Sequence, residues 1–275
     1  MPLHSKTADA QSHPSKAARA PRIRDVPAVT RAVAILRLLG ASPAPRTLKS
    51  IAETLAIVPS TALHILRALA AEGLVKMDAA TKRYSLGPGM LPLARNALKN
   101  SGFPTVVQPH LDRLASAHGV TAIGIEVSGL AHIVVNAISR SDLPVRLHVD
   151  IGSQFPALIS ASGRCVAAFG GHPWRDIERH FGQLRWQHAP DIDTWRTQVD
   201  QVRQTGYSVD RGNYIAGVTI VAVPVLDAHQ RMAFGIVAVG LMNQLQPSAI
   251  TRVAAQIREA AEEVHAQLYT DNSPR

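Results

Sequence analysis

Apolar side chains first fall into a regular pattern at Val29, Ala32, Val33, Leu36 and Leu39, the spacing of one helix face, and Gly40 ends the run. Thr47 is placed to cap a second, short helix with Leu48, Ile51, Ala52 and Leu55 on its inner side. After the break at Ala56-Ile57-Val58, Pro59 suits the first turn of a third helix. Its buried side is Ala62, Ile65, Leu66 and Leu69, and Glu72-Gly73 closes it. The period then shortens from that of a helix to that of a strand. LVKMDAATKRYSLG reads as two short strands around a polar turn. Three helices followed by a hairpin predict a winged helix-turn-helix over residues 26–88, with the helix-turn-helix motif at about 48–67. Residues 1–25, rich in Ala, Ser, Pro, Lys and Arg and without periodicity, read as a disordered basic tail.

Residues 89–102 predict a linker helix, in which Leu91, Arg95 and Leu98 fit the period. Phe103-Pro104 opens a different region, 103–272. It begins with a helix over Val106–Ala117 and strands over Ala122–Val127 and His132–Ala137. Helices at Ser162–Phe169 and Thr194–Thr205 follow, with strands at Tyr207–Val209, Val218–Leu226 and Ala233–Gly240. A final helix carries Ile250, Val253, Ala254, Ile257, Ala261, Val264 and Leu268 on one face. Two long strands joined by a turn at Asp227–Gln230 predict an antiparallel sheet covered by helices. The fold class is α+β, with no internal repeat.

Charge sharpens this division. Residues 1–100 hold 15 Lys and Arg against 5 Asp and Glu, whereas the remainder hold 14 against 15. A basic segment joined to a near-neutral one is the electrostatic footprint of a nucleic-acid-binding domain attached to something else. The alternative, a basic solvated tail, accounts for the first residues but not for the charge beyond them. Aromatic residues are only 4% of the chain, so its cores must be largely aliphatic. The single cysteine, Cys165, excludes an internal disulfide framework and a cysteine-rich zinc site. Apolar runs such as Val218–Val225 are too short to span a bilayer, and the first residues carry no apolar signal core. A cytoplasmic protein with no membrane partner is expected.

A helix that reads DNA needs one face for its own domain and another for base edges and phosphates. Opposite the apolar stripe of the third helix stand Ser60, Leu63, His64 and Arg67. Ser60 and Thr61 fall in the first turn, where hydroxyls and free N–H groups bind phosphate. Arg67 reaches a phosphate or guanine, His64 donates to a base acceptor, and Leu63 offers apolar contact to a thymine methyl. For a lone helix, an ordinary solvated face is the better reading. The three-helix arrangement, the Lys82 and Arg83 pair in the wing and the charge asymmetry together reverse that preference.

The second domain shows no GxSxG, P-loop, GxGxxG or HExxH, so no catalytic residue, metal site or cofactor is expected. Cys165, among Val166, Ala167 and Ala168, reads as a small core residue. Asp191 and Asp193 flank a helix start and read as caps. The segment Pro156 to Arg164 runs from an extended piece into a helix through small residues. Free N–H groups at Ala161 and Ser162 favour a carboxylate there, through unpaired donors and the helix dipole. A plain Ser-capped helix fits the spacing equally well.

The segments AVTRAVAILRLLG, TLKSIAETLAIVPSTALHILRALAAEGLV and KRYSLGPGMLPLARNAL, with IGSQFPALISASGR, GYSVDRGNYIAGVTIVAVPV and the closing helix, resemble the IclR family of transcriptional regulators. The resemblance covers nearly the whole chain after the tail. It implies a winged helix-turn-helix, a linker helix and a GAF-like α/β effector-binding domain with an antiparallel sheet. It further implies a dimer or tetramer, paired through the first helix and the 88–100 helix. Double-stranded operator DNA and a small organic acid are the implied partners, with repression as the default and activation of a catabolic operon as the alternative. The family commonly has a polar residue where this chain has Leu63 and an arginine where it has His64, so this reading head is less cationic. Matching positions place Ala161, Ser162, Asp210, Ile220, Val237 and Val239 in the effector pocket. Val237 and Val239 lie two apart on one strand and share a face.

Overall fold

The computed structural model describes residues 26–140 and 149–269, with backbone alone at 97–101. The tail expected over 1–25 lies outside them. The chain divides into two compact units, one ending at Leu93 and one beginning at Ala94.

The first unit comprises α1 (Pro27–Gly40), β1 (Arg46–Thr47), α2 (Leu48–Thr54), α3 (Pro59–Ala71), β2 (Val75–Met77) and β3 (Arg83–Leu86). Thr47 Oγ1 accepts the N–H of Ser50 and starts α2, while Pro59 occupies the first turn of α3, where its missing N–H costs nothing. The core gathers Ile35, Leu39, Ile51, Leu66, Leu69, Val75 and Tyr84. This differs from the expected inner face of α1. Val29 and Val33 are 59% and 39% exposed, and Ile35 is fully buried in their place. The run AVAILRLL is apolar around most of the helix, so its period does not select one stripe. The hairpin gains a third strand, β1, in the order β1-β3-β2. At two residues, β1 is too short to leave a period in the sequence. Gly87 closes the wing against the end of α3. A Cβ there would stand 2.2 Å from the Gly73 carbonyl oxygen, so no larger residue fits.

The helix α4 (Met90–Ser101) runs across the boundary. Leu91 is 70% exposed, and the side chain of Leu98 lies outside the described residues.

In the second unit, α5 (Phe103–His118) leads into β4 (Thr121–Ser128) and β5 (His132–Ile138). After these come β6 (Gln154–Pro156), α6 (Ser160–Phe169), α7 (Trp174–Phe181), α8 (Ile192–Thr205), β7 (Ser208–Arg211), β8 (Val218–Leu226), β9 (Met232–Leu241) and α9 (Pro247–Tyr269). Six antiparallel strands run in the order β6-β5-β4-β9-β8-β7. Alternation along the strands splits the core in two. Val221, Val223, Ile236 and Ala238 face α5 and α9, and Ile220, Ala222, Val237 and Val239 belong to the cluster with α6 and α8. Two elements have no counterpart in the sequence reading. The two turns of α7 bury Ile177 and carry mostly polar residues, so no apolar period develops. β6 is a three-residue edge strand. Its neighbour α6 starts two residues earlier than expected.

Candidate functional site

The outward side of α3 carries Ser60, His64 and Arg67 exposed and Thr61 and Leu63 half-buried, opposite buried Ala62, Leu66 and Leu69. The first main-chain bond of the helix runs from Ala62 N–H to Val58 C=O, so the N–H groups of Ser60 and Thr61 have no helical acceptor. Among the described residues, neither His64 nor Arg67 has a hydrogen-bond or ion-pair partner. The wing tip is shaped by Asp78, whose carboxylate accepts the N–H groups of Ala80 and Thr81 and the Thr81 hydroxyl. These bonds, the Thr81 N–H foremost, hold its pKa below the ordinary aspartate value. Lys82 follows in a left-handed conformation (φ 54°) with an exposed side chain. Arg83, also exposed, donates to the Pro45 carbonyl at 3.0 Å and is thereby held at the base of the wing.

In the second unit a cavity of about 160 Å³ lies on the α6 side of the sheet. Ile123 and Ile125 of β4 and Ile133 and Val135 of β5 form one part of its wall, and Ile220, Val237 and Val239 another. Phe155, Ile159 and Ile215 add hydrocarbon; Ser160, Ser162 and Tyr214 are its polar groups. The polar end is the start of α6. Its first helical bond is Gly163 N–H to Ile159 C=O, which leaves the N–H groups of Ser160, Ala161 and Ser162 without helical acceptors. Ser160 takes a left-handed conformation (φ 63°), which a β-carbon disfavours. Its Oγ is buried and has no hydrogen-bond partner, whereas Ser162 Oγ donates weakly to the Ile159 carbonyl at 3.3 Å. Burial pushes the Tyr214 phenol above its usual pKa and keeps it a neutral donor.

Of the six residues expected to line a pocket, Ser162, Ile220, Val237 and Val239 meet at this cavity. Ala161 and Asp210 do not; both are fully buried outside its lining. Asp210 is already engaged. One of its oxygens accepts the N–H groups of Asn213 and Tyr214 at 3.0 and 3.3 Å, and the other lies 3.6 Å from the buried Arg164 guanidinium. Arg164 also donates to Gln198 and Asn213 side chains and to the Ser160 carbonyl at 3.0 Å. Burial lowers the Arg164 pKa and the Asp210 charge opposes that shift. The pair therefore braces the turn that presents Ser160.

The sequence reading missed Arg164, although it lies within a quoted segment, because nothing local marks an arginine as buried. It also missed Ser160, since a left-handed serine leaves no sequence signal. The β4 and β5 positions do alternate, but strands covered on both faces read as continuous apolar runs. Cys165 is a core residue whose thiol burial pushes up to about 12, far from a thiolate at neutral pH. Asp191 caps α8 by accepting the Thr194 N–H at 2.8 Å.

A winged helix-turn-helix with an unpartnered helix face, attached to an α/β unit with its own cavity, defines a DNA-binding regulator. Its family follows from known proteins. Residues 28–79 match the IclR helix-turn-helix domain, and residues 95–266 match the bacterial transcriptional regulator IclR C-terminal domain. The chain belongs to the IclR family of transcriptional regulators, whose members are regulators rather than enzymes. It is 29% identical over 249 residues to the glycerol operon regulatory protein of Streptomyces griseus, covering 89% of this chain and 97% of that one. It is 22% identical over 262 residues to the transcriptional repressor IclR of Escherichia coli, covering 91% and 95%. An IclR transcriptional regulator from Alicyclobacillus acidocaldarius superposes with a TM-score of 0.77 at 28% identity, covering 88% of this chain and 99% of its own. Among the described residues, no single helix is long and apolar enough to cross a membrane.

Proposed function

We propose that the chain is a homo-oligomeric repressor that reads operator DNA through α3 and releases or grips it in response to a small organic acid bound in the second unit. The observation that carries the sensing role is the apolar cavity ending at α6, with unpaired N–H groups and the orphan Ser160 hydroxyl at one pole. A buried hydroxyl without a partner is costly, and a ligand oxygen there removes the cost. A helix N-terminus further favours a carboxylate over a neutral group. The hydrocarbon walls suit an apolar or aromatic body. A cavity near 150 Å³ in another protein admits benzene, so about 160 Å³ suits one ring or a short branched chain. The Streptomyces griseus relative is named for a glycerol operon. A triol would leave most of its hydroxyls facing isoleucine and valine here, which argues against glycerol as the effector.

Repression is supported by the Escherichia coli relatives IclR and YiaJ, each named as a repressor. Pairing is supported by apolar residues left in water: Val26, Val29 and Val33 on and beside α1, and Leu91 and Leu93, 58% exposed, in α4. One recognition helix covers too few base pairs for genomic specificity, and two heads on a palindrome supply it.

Calorimetry on the full chain tests the ligand reading, with a panel running from two-carbon acids to hydroxybenzoates. The aromatic acids are expected to bind best, and Val237→Ser to weaken them. Strongest binding by the two-carbon acids, or tighter aromatic binding by Val237→Ser, refutes it. For DNA, Arg67→Ala and His64→Ala should each cost roughly 1–3 kcal/mol on a selected operator duplex without lowering the melting temperature. Unchanged affinity in both variants shows that α3 presents another face.

A further inference from the structure

Between the α1–α2 loop and the base of the wing lies an open hollow of about 390 Å³, bordered by Ser42, Pro45, Arg46, Thr47, Ser50 and Arg83. Among the described residues, its only charged groups are the two guanidinium groups, and no carboxylate borders it. Each is tethered to groups that also border the hollow. Arg46 donates from Nε to Ser42 Oγ at 2.6 Å and from a terminal nitrogen to Ser50 Oγ at 3.2 Å. Arg83 donates to the Pro45 carbonyl at 3.0 Å. Among the described residues, neither has an ion-pair partner. An arginine has five N–H donors. Two are used on Arg46 and one on Arg83, so three and four remain. The tethers also fix side-chain freedom that an ordinary surface arginine would lose on binding.

We propose that this hollow seats a phosphate of the DNA backbone, held jointly by Arg46 and Arg83. The inference rests on the reading of the first unit as a DNA-binding head and adds a contact that α3 does not make. Two like charges beside one hollow repel each other, and an anion between them removes the repulsion. Both guanidinium forks border the hollow, and a phosphodiester offers two free oxygens to such forks. β1 pairs with β3 so that Thr47 lies opposite Arg83, and Arg83 follows directly on Lys82 of the wing. A phosphate held here therefore fixes the wing and the entry to α2 with one contact. It positions the head and carries no base preference.

Fluorescence anisotropy on the full chain tests the proposal, with one labelled duplex selected from a random pool and one of arbitrary sequence, each titrated over a range of salt. Arg46→Gln is expected to weaken both duplexes alike, about tenfold. The slope of log affinity against log salt should shrink by about 1. Arg46→Lys, which keeps the charge without the fork, should restore the slope but not all the affinity. Ser42→Ala removes a tether without removing charge and should keep the full slope, which covers the case in which Arg46→Gln does not fold. An unchanged slope in folded Arg46→Gln overturns the proposal, as does a loss confined to the selected duplex. It is also overturned if inorganic phosphate raises the wild-type melting temperature through Arg46 while the DNA slope stays the same. Salt-independent or absent binding of both duplexes by the wild type would sink the DNA reading of α3 and this contact together. Wild-type binding with an indifferent Arg46→Gln sinks only this contact.

Discussion

At the scale of single residues, the second unit turns on a buried charge pair. Arg164 and Asp210 lie almost wholly out of water, and their 3.6 Å separation is not that of a tight bidentate pair. The Coulombic gain in such a pair roughly offsets desolvation, so removing one partner costs more than the pair contributes. Asp210→Asn keeps an oxygen for the Asn213 and Tyr214 N–H groups but strands the guanidinium. Urea denaturation is expected to show a loss of about 3 kcal/mol. The double change Arg164→Met with Asp210→Leu should lose less than Asp210→Asn alone. A single variant as stable as the wild type would mean that Arg164 finds water or another anion. Nothing in the sequence marked the two residues as a buried charge pair. The family resemblance singled out Asp210 as a ligand contact, yet the fold gives its carboxylate to an arginine one helical turn from Ser160.

At the scale of elements, what was legible depended on whether each element has one buried face or two. α9 has a single seam, and its predicted inner positions from Ile250 to Val264 are buried. α3 is similar, and its first turn was readable from Pro59. α1 is apolar nearly all round, so its inner face was misplaced by part of a turn, and the stripe left outside became the candidate for pairing. The cavity was half legible. Strand period says that Val237 and Val239 share a face and the family resemblance placed them at a pocket, but Ile123, Ile125 and Tyr214 arrive from strands and loops far away in sequence, joined only by the sheet order. The seam between α5 and α9 makes a further prediction. His110 of α5 is buried, 3.8 Å from Glu263, with Arg113 also nearby. Burial, more than offsetting Glu263, holds its pKa below the ordinary 6.5. Above that value both folded and unfolded chains carry it neutral. Below it the unfolded chain takes up a proton that the folded chain resists, so stability falls progressively with pH until the folded pKa is reached. His172, lowered mainly by burial as well, adds to the same decline. Folding free energy measured by urea across pH 6.5 should fall on the acid side, and His110→Gln should flatten part of the fall. An unaltered profile in that variant would show that His110 is hydrated in solution.

At the scale of the whole molecule, regulation requires the two units to share free energy. A ligand of equal affinity for both DNA-binding states shifts nothing, however tightly it binds. Any factor by which the effector changes DNA affinity must therefore reappear as the factor by which DNA changes effector affinity. Among the described residues, the element that runs across the boundary is α4, which begins at Met90 in the first unit and ends at Ser101 in the second. Pro92 sits in its first turn, where it costs no helical hydrogen bond, so helix runs on through Leu93 and Ala94. Inserting two glycines between Leu93 and Ala94 should interrupt it, because glycine in a helix interior costs about 1 kcal/mol each relative to alanine. The expected outcome is specific. Calorimetry should show unchanged effector affinity in the absence of DNA, since no cavity residue is touched. Anisotropy should show a wild-type chain whose operator affinity changes with saturating effector, by about tenfold at a coupling of about 1.4 kcal/mol. In the insertion variant that ratio should fall towards one. Full coupling in the insertion variant would mean that α4 is not the element whose state the ligand biases.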